Sequence, residues 1–155
     1  MDAKTSFERL FAHTAWANLR LASALRSTPR LAPQVVRLFA HVLTAERIYL
    51  ERIRGLDPWP QNFWPEMSLA ACETLAGANG EDYARFLAAL DPAALDGAVS
   101  YRNSKGDRYE TPLVDMLSHV ATHGAYHRGQ IAAAVRSAGG DPVDTDLITF
   151  SRAGR

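Results

Sequence analysis

The chain has 155 residues, 17 Lys plus Arg against 17 Asp plus Glu, and one cysteine, Cys72. A formal charge of zero without a Lys/Arg cluster argues against a nucleic-acid partner, and a lone cysteine excludes an intrachain disulfide. No apolar run approaches the roughly 18 residues of a membrane span. The expectation is one cytoplasmic domain over residues 1–155, since MDAKTSFERL lacks the basic-then-apolar layout of a leader.

Between residues 6 and 27, Phe7, Leu10, Phe11, Thr14, Ala17, Asn18, Leu21, Ala22 and Leu25 recur at helical intervals. Ser6 is the expected cap and Pro29 lies past the end. His13 falls off the stripe beside Trp16 and reads as a solvated or partly buried flank residue. A second helix over 33–54 carries Val35, Leu38, Phe39, Val42, Leu43, Ile48 and Leu50, with Gly55 as C-cap. Within it His41 stands one turn after Leu38, turned towards the interior. Glu46, five residues beyond His41, reads as a solvated charge first and as an acceptor for an imidazole N–H second.

Residues 55–67, GLDPWPQNFWPEM, hold three prolines and cannot be regular structure. Trp59, Phe63 and Trp64 in this loop either roof a pocket or cover the end of the helices. A third helix is expected from the cap Ser68 to Leu90, weakened by Gly77 and Gly80 by about 1 kcal/mol each. Cys72 lies among alanines and reads as a small core residue. Periodicity then lapses from Asp91 to Thr111, where 99–102 and 108–111 flank Asn103-Ser-Lys-Gly106-Asp107 as a small hairpin. Tyr101, Arg102 and Asn103 are candidates for a pocket rim. The length of this linker suggests a crossover between the third and fourth helices.

The fourth helix, 112–138, contains LSHVATHGAYHRGQIAAA, with His119, His123 and His127 at intervals of four. Residues i and i+4 of a helix lie about 40° apart and roughly 6 Å along the axis, so two such imidazoles can converge on one metal ion. His119 and His127, about 12 Å apart along the axis, cannot share one ion. The run therefore offers a chelating pair and a spare. His41, His123 and His127 together would make a three-histidine site with open positions, the geometry of catalytic metal sites. His119 is then a core or pocket-wall histidine. Arg128 and Gln130 point away from the ligand they follow and serve structure, while Gly129 would admit a neighbouring helix.

Four stretches, HTAWANLRL, FAHVLTAERIYLERI, SYRNSKGDRYETPL and HVATHGAYHRGQIAAAVRSAG with DTDLITF, resemble the DinB-like family of metalloenzymes. The match covers most of the chain and is loose only around the third helix. The resemblance implies an all-α, antiparallel four-helix bundle with a long crossover between its second and third helices. It also implies a metal on His41, His123 and His127, and a homodimer. Relatives include transferases that move a small thiol onto an electrophile.

The expected function is thus binding of one divalent metal ion and metal-dependent thiol transfer to a small electrophile. Three imidazoles suit zinc or nickel first, with iron, copper or manganese as further candidates. A metal-dependent hydrolase is the alternative enzyme, disfavoured by the lack of an HExxH glutamate. A non-catalytic metal or small-ligand binding module is the alternative outside enzymes. The expected partners are a small thiol or electrophile, with neither nucleic acid nor membrane.

Overall fold

The computed structural model describes residues 1–141 and 143–153. It is all-α apart from one hairpin: α1 (Ala3–Ser27), α2 (Pro33–Ile53), α3 (Leu69–Ala89), a 3-10 turn (Pro92–Asp96), β1 (Ala98–Arg102), β2 (Arg108–Pro112), α4 (Leu113–Ser137) and a short α5 (Leu147–Ala153). Among the described residues no helix is long and apolar enough to cross a membrane.

Local chemistry explains the boundaries. α1 begins earlier than its apolar stripe, because Asp2 rather than Ser6 is the cap and accepts the Thr5 N–H at 2.8 Å. Ser68 caps α3 through the Ala71 N–H at 3.1 Å. Past the end of α2, Gly55 takes a positive φ of 77°, the left-handed turn that closes a helix and that glycine adopts without steric cost. β1 and β2 pair antiparallel with Tyr101 opposite Tyr109, the hairpin expected around Asn103–Asp107. The closing α5 was not expected from the sequence.

α1 packs on α3 and α4, and α2 packs on the same two helices. Two apolar clusters fill the ends of the core. One joins Leu21 and Leu25 of α1, Phe39 and Leu43 of α2, Cys72 and Ala76 of α3, and Ile131 and Val135 of α4. The other joins Phe7 and Phe11, Leu50, Tyr83 and Leu87, and Leu113 and Leu117. The late part of α1 and α4 thus meets the early part of α2 and α3, so α1 and α4 run one way and α2 and α3 the other. Because α2 and α3 point the same way, residues 54–68 must return along the helices' length. Residues 54–68 make this connection between α2 and α3. The longer α3–α4 linker instead folds up locally into the 3-10 turn and the hairpin.

Between the two clusters lies a buried polar layer. The Asn18 amide donates to both Glu46 carboxylate oxygens, at 2.9 and 3.1 Å, and its oxygen accepts from Arg128 Nη1 at 3.1 Å. Asn79 donates to Glu46 Oε2 at 3.2 Å and to the Leu43 carbonyl, and the Tyr83 hydroxyl donates to the Glu46 carbonyl at 2.8 Å. Glu46 is 3% exposed, which corrects the expectation of a solvated charge. Burial raises its pKa, against the opposing pull of Asn18, Arg128 and Asn79. Buried charges require such partners. Arg128 is buried too, in the structural role its place opposite His127 suggests. Its guanidinium leaves no room at Gly124, where a Cβ would meet Nη1 at 2.8 Å.

The close approaches fall on different glycines from the one singled out. Gly129 has nothing within 4 Å of a built Cβ, whereas Gly80 would meet Ala15 Cβ of α1 at 2.9 Å. Gly80 weakens α3 by helix propensity but lets α1 pack directly against it.

Candidate metal centre

His41 arises from α2 and His123 and His127 from α4, two helices in direct contact. One ring nitrogen from each of the three lies within 4.8 Å of the other two, an arrangement that could hold a metal ion. The Nε2 atoms of His41 and His123 are 3.2 Å apart. Two nitrogens at about 2.0–2.1 Å from one tetrahedral ion stand roughly 3.3 Å apart, so this edge already has the right length. The rings of His123 and His127 are edge-on to that of His41, with centroids at 5.0 and 5.2 Å. The three rings are therefore not stacked on one another.

Outer hydrogen bonds set two of the tautomers. His41 Nδ1 is 2.8 Å from the Phe63 carbonyl, which can only accept, so Nδ1 carries the proton and Nε2 keeps its lone pair. His127 Nδ1 lies 2.7 Å from Gln130 Oε1, with the same consequence. Gln130 was expected to be structural. Its three-residue offset instead brings its amide back over the ligand that starts the turn. Such outer partners orient ligating imidazoles and strengthen their binding.

Burial, followed by the neighbouring His127, His41 and His119 rings, lowers the His123 pKa from 6.5 to about 4. Burial also lowers that of His41, against the opposing Phe63 carbonyl. Both shifts favour the neutral form, the form that ligates a metal.

The proline-rich connection divides its aromatic residues between two tasks. The Trp64 ring stacks on His41 at 3.8 Å and 6°, and with the Phe63 carbonyl it walls one side of the three-histidine group. Trp59 instead lies over the hairpin, with the Arg102 guanidinium 5.2 Å from its ring. Of the proposed rim residues, Arg102 pairs with Asp57 through Nε at 3.0 Å and Asn103 closes the hairpin turn. Tyr101 packs on Arg52. All three shape the hairpin and its junction with the connection.

His119 lies outside the three-histidine group. It is an exposed residue beside the Tyr49 ring, at 4.9 Å, and not a core histidine. His13 proves buried, at 5% exposure, with Nε2 2.7 Å from the Thr145 carbonyl and its ring against Trp16 and Phe150. The C-terminal segment that covers it gives no periodic signal, so the sequence makes His13 look like a flank residue. Cys72 is fully buried and its thiol is pushed up to about 11, chiefly by burial, which fits a core residue.

The interior polar residues Asn18, Asn79 and Arg52 were not singled out as sites. Asn18 did carry a signal, as an amide on an otherwise apolar stripe. Arg52 carried none, since its surroundings come from distant parts of the chain.

The chain is 24% identical over 161 residues to Protein DinB of Bacillus subtilis (strain 168), with 92% of each chain covered. No solved structure matches it. The DinB family pattern matches residues 1–154, and the chain belongs to the DinB family.

Proposed function

We propose that His41, His123 and His127 hold one divalent metal ion, zinc or nickel by the preference of imidazole donors, and that the chain is a metal-dependent thiol transferase. The observation that carries this reading is a centre of three convergent imidazoles, two with fixed tautomers, to which no carboxylate or cysteine is added among the described residues. Three protein ligands leave coordination positions for water or substrate, as in catalytic sites. When bound, the ion supplies the acidity that converts a thiol to its nucleophilic thiolate at neutral pH. The chain's own groups orient the donors and, through Trp64, screen one side from water.

Hydrolysis is less well supported. Glu46, the carboxylate nearest in sequence to His41, is engaged by Asn18 and Asn79 inside the core and is not free to act as a general base. The helix order given above corresponds to an antiparallel four-helix bundle with a crossover after α2. The exposed Leu19 favours a homodimer, whereas Trp16 packs against Phe150 within the chain.

The test is a thermal-shift series with bacillithiol, mycothiol and glutathione on metal-loaded and metal-free protein. A thiol that binds only the loaded native form at a hundredfold excess over Kd stabilises it by about 2.7 kcal/mol, which raises Tm by several degrees. The visible spectrum of the cobalt-substituted protein should change in parallel. No response to any of the three in either measurement would remove thiol transfer and leave hydrolysis or simple binding.

A further inference from the structure

Arg52 is 2% exposed, yet among the described residues it joins no ion pair. Its guanidinium is enclosed by three aromatic rings: Tyr49 of α2 at 5.0 Å, Phe63 of the connection at 5.4 Å and Tyr101 of β1 at 4.5 Å. Nη2 donates to the Gln61 side-chain oxygen and, at 3.0 Å, to the Arg102 carbonyl, while Nε has no partner. Gln61 in turn donates to the Pro58 carbonyl. A charge buried without a carboxylate is costly, and apolar side chains of similar volume fill such positions more cheaply. An arginine here therefore does something that packing alone would not require.

What it holds is the stretch of chain that touches the metal centre. Gln61 and Phe63, which Arg52 grips, flank Asn62 and immediately precede Trp64. Phe63 supplies the carbonyl on His41 Nδ1, and Trp64 supplies the ring stacked on His41. Arg52 stands eleven residues after His41, about three turns and roughly 16 Å along the same face of α2. One helix thus carries the metal ligand and the anchor of that ligand's outer shell.

We propose that Arg52 is a positioning residue for His41: by clamping Gln61 and Phe63 it holds the Phe63 carbonyl on Nδ1 and so presents Nε2 to the metal. The hairpin takes part through the Arg102 carbonyl and Tyr101, which complete the cage. This function rests on the metal-site reading for its effect on affinity, but not for its effect on the His41 ring.

The experiment therefore has one arm without metal. In the metal-free wild-type protein, ¹⁵N-resolved imidazole spectra should show His41 as the Nδ1–H tautomer with a slowly exchanging ring proton. In Arg52→Met and in Gln61→Ala that proton should exchange fast and the tautomer signature should average. Leu25→Ala, which empties part of the opposite apolar cluster, should lower Tm yet leave the His41 signature intact. In the second arm, cobalt(II) alone is titrated into each protein. Arg52→Met should weaken binding by at least tenfold, in the range that loss of an outer-shell partner produces. The double variant Arg52→Met/Gln61→Ala should be no weaker than the worse single variant, because both act through one path. Arg52→Lys, which lacks the planar fork, should restore the effect only in part.

An unchanged His41 tautomer in Arg52→Met, or an equal change in Leu25→Ala, overturns the proposal. If wild-type protein binds no cobalt, the metal reading fails while the tautomer arm still decides the role of Arg52.

Discussion

The Nδ1 atom of His127 lies 2.7 Å from Oε1 of Gln130, one turn further along α4. With the proton on Nδ1, Nε2 keeps its lone pair. Replacing Gln130 with Ala should leave the fold intact and weaken metal binding by roughly 10- to 100-fold, the usual cost of losing an outer-shell partner. Competition titration with a chromophoric chelator measures it. Wild-type affinity in Gln130→Ala would show that the amide orients nothing.

His41 and His119 both stand near His123 but differ in consequence. His41→Ala removes a donor whose Nε2 is 3.2 Å from that of His123 and should sharply reduce metal content. His119→Ala should leave stoichiometry near wild type, because His119 turns to Tyr49. Elemental analysis of the two purified proteins separates the cases, and equal loss in both would overturn the ligand assignment.

Among the described residues, Asn18 alone links Arg128 to Glu46 by hydrogen bonds. Asn18→Ala strands a buried guanidinium and a buried carboxylate without their amide partner. The expected cost is about 3 kcal/mol, which for a chain of this size lowers Tm by roughly 10 °C. Urea unfolding of the metal-free protein checks it. Asn18→Leu should be no better, since it restores volume but not the hydrogen bonds.

The pH dependence of the metal-free protein follows from His123. Its folded-state pKa, about 4, lies below the 6.5 of the free side chain. Between those values the unfolded chain binds a proton that the folded chain does not, so stability falls as pH drops from 6.5 towards 4. A bound metal needs neutral imidazoles and should be released as the same proton uptake proceeds. Unfolding midpoints measured in steps from pH 7 to 4 should decline less in His123→Ala than in wild type. Identical slopes would assign the acid sensitivity to other groups.

Much of this is written locally. Apolar residues at helical spacing announced four long helices, Ser68 and Gly55 marked their ends, and the glycine-containing turn Asn103–Asp107 announced the hairpin. The four-residue spacing of His123 and His127 needs only helix geometry to place both imidazoles on one face. These features depend on neighbours in the chain, and a periodic pattern reports them directly.

Other features depend on which elements meet, and spacing carries no record of that. Glu46 looks like any exposed helix charge until α1 and α3 bring Asn18 and Asn79 against it. His13 is a flank residue until the segment ending in α5 lays the Thr145 carbonyl on its ring. The connection after α2 is irregular in sequence, and only its return along parallel-running α2 and α3 sets Phe63 and Trp64 on His41. A buried charge is tolerated only where long-range contacts supply its partners. For Glu46, Arg128 and Arg52 the side-chain hydrogen-bond partners lie on other elements, so tertiary packing decided what the three residues do.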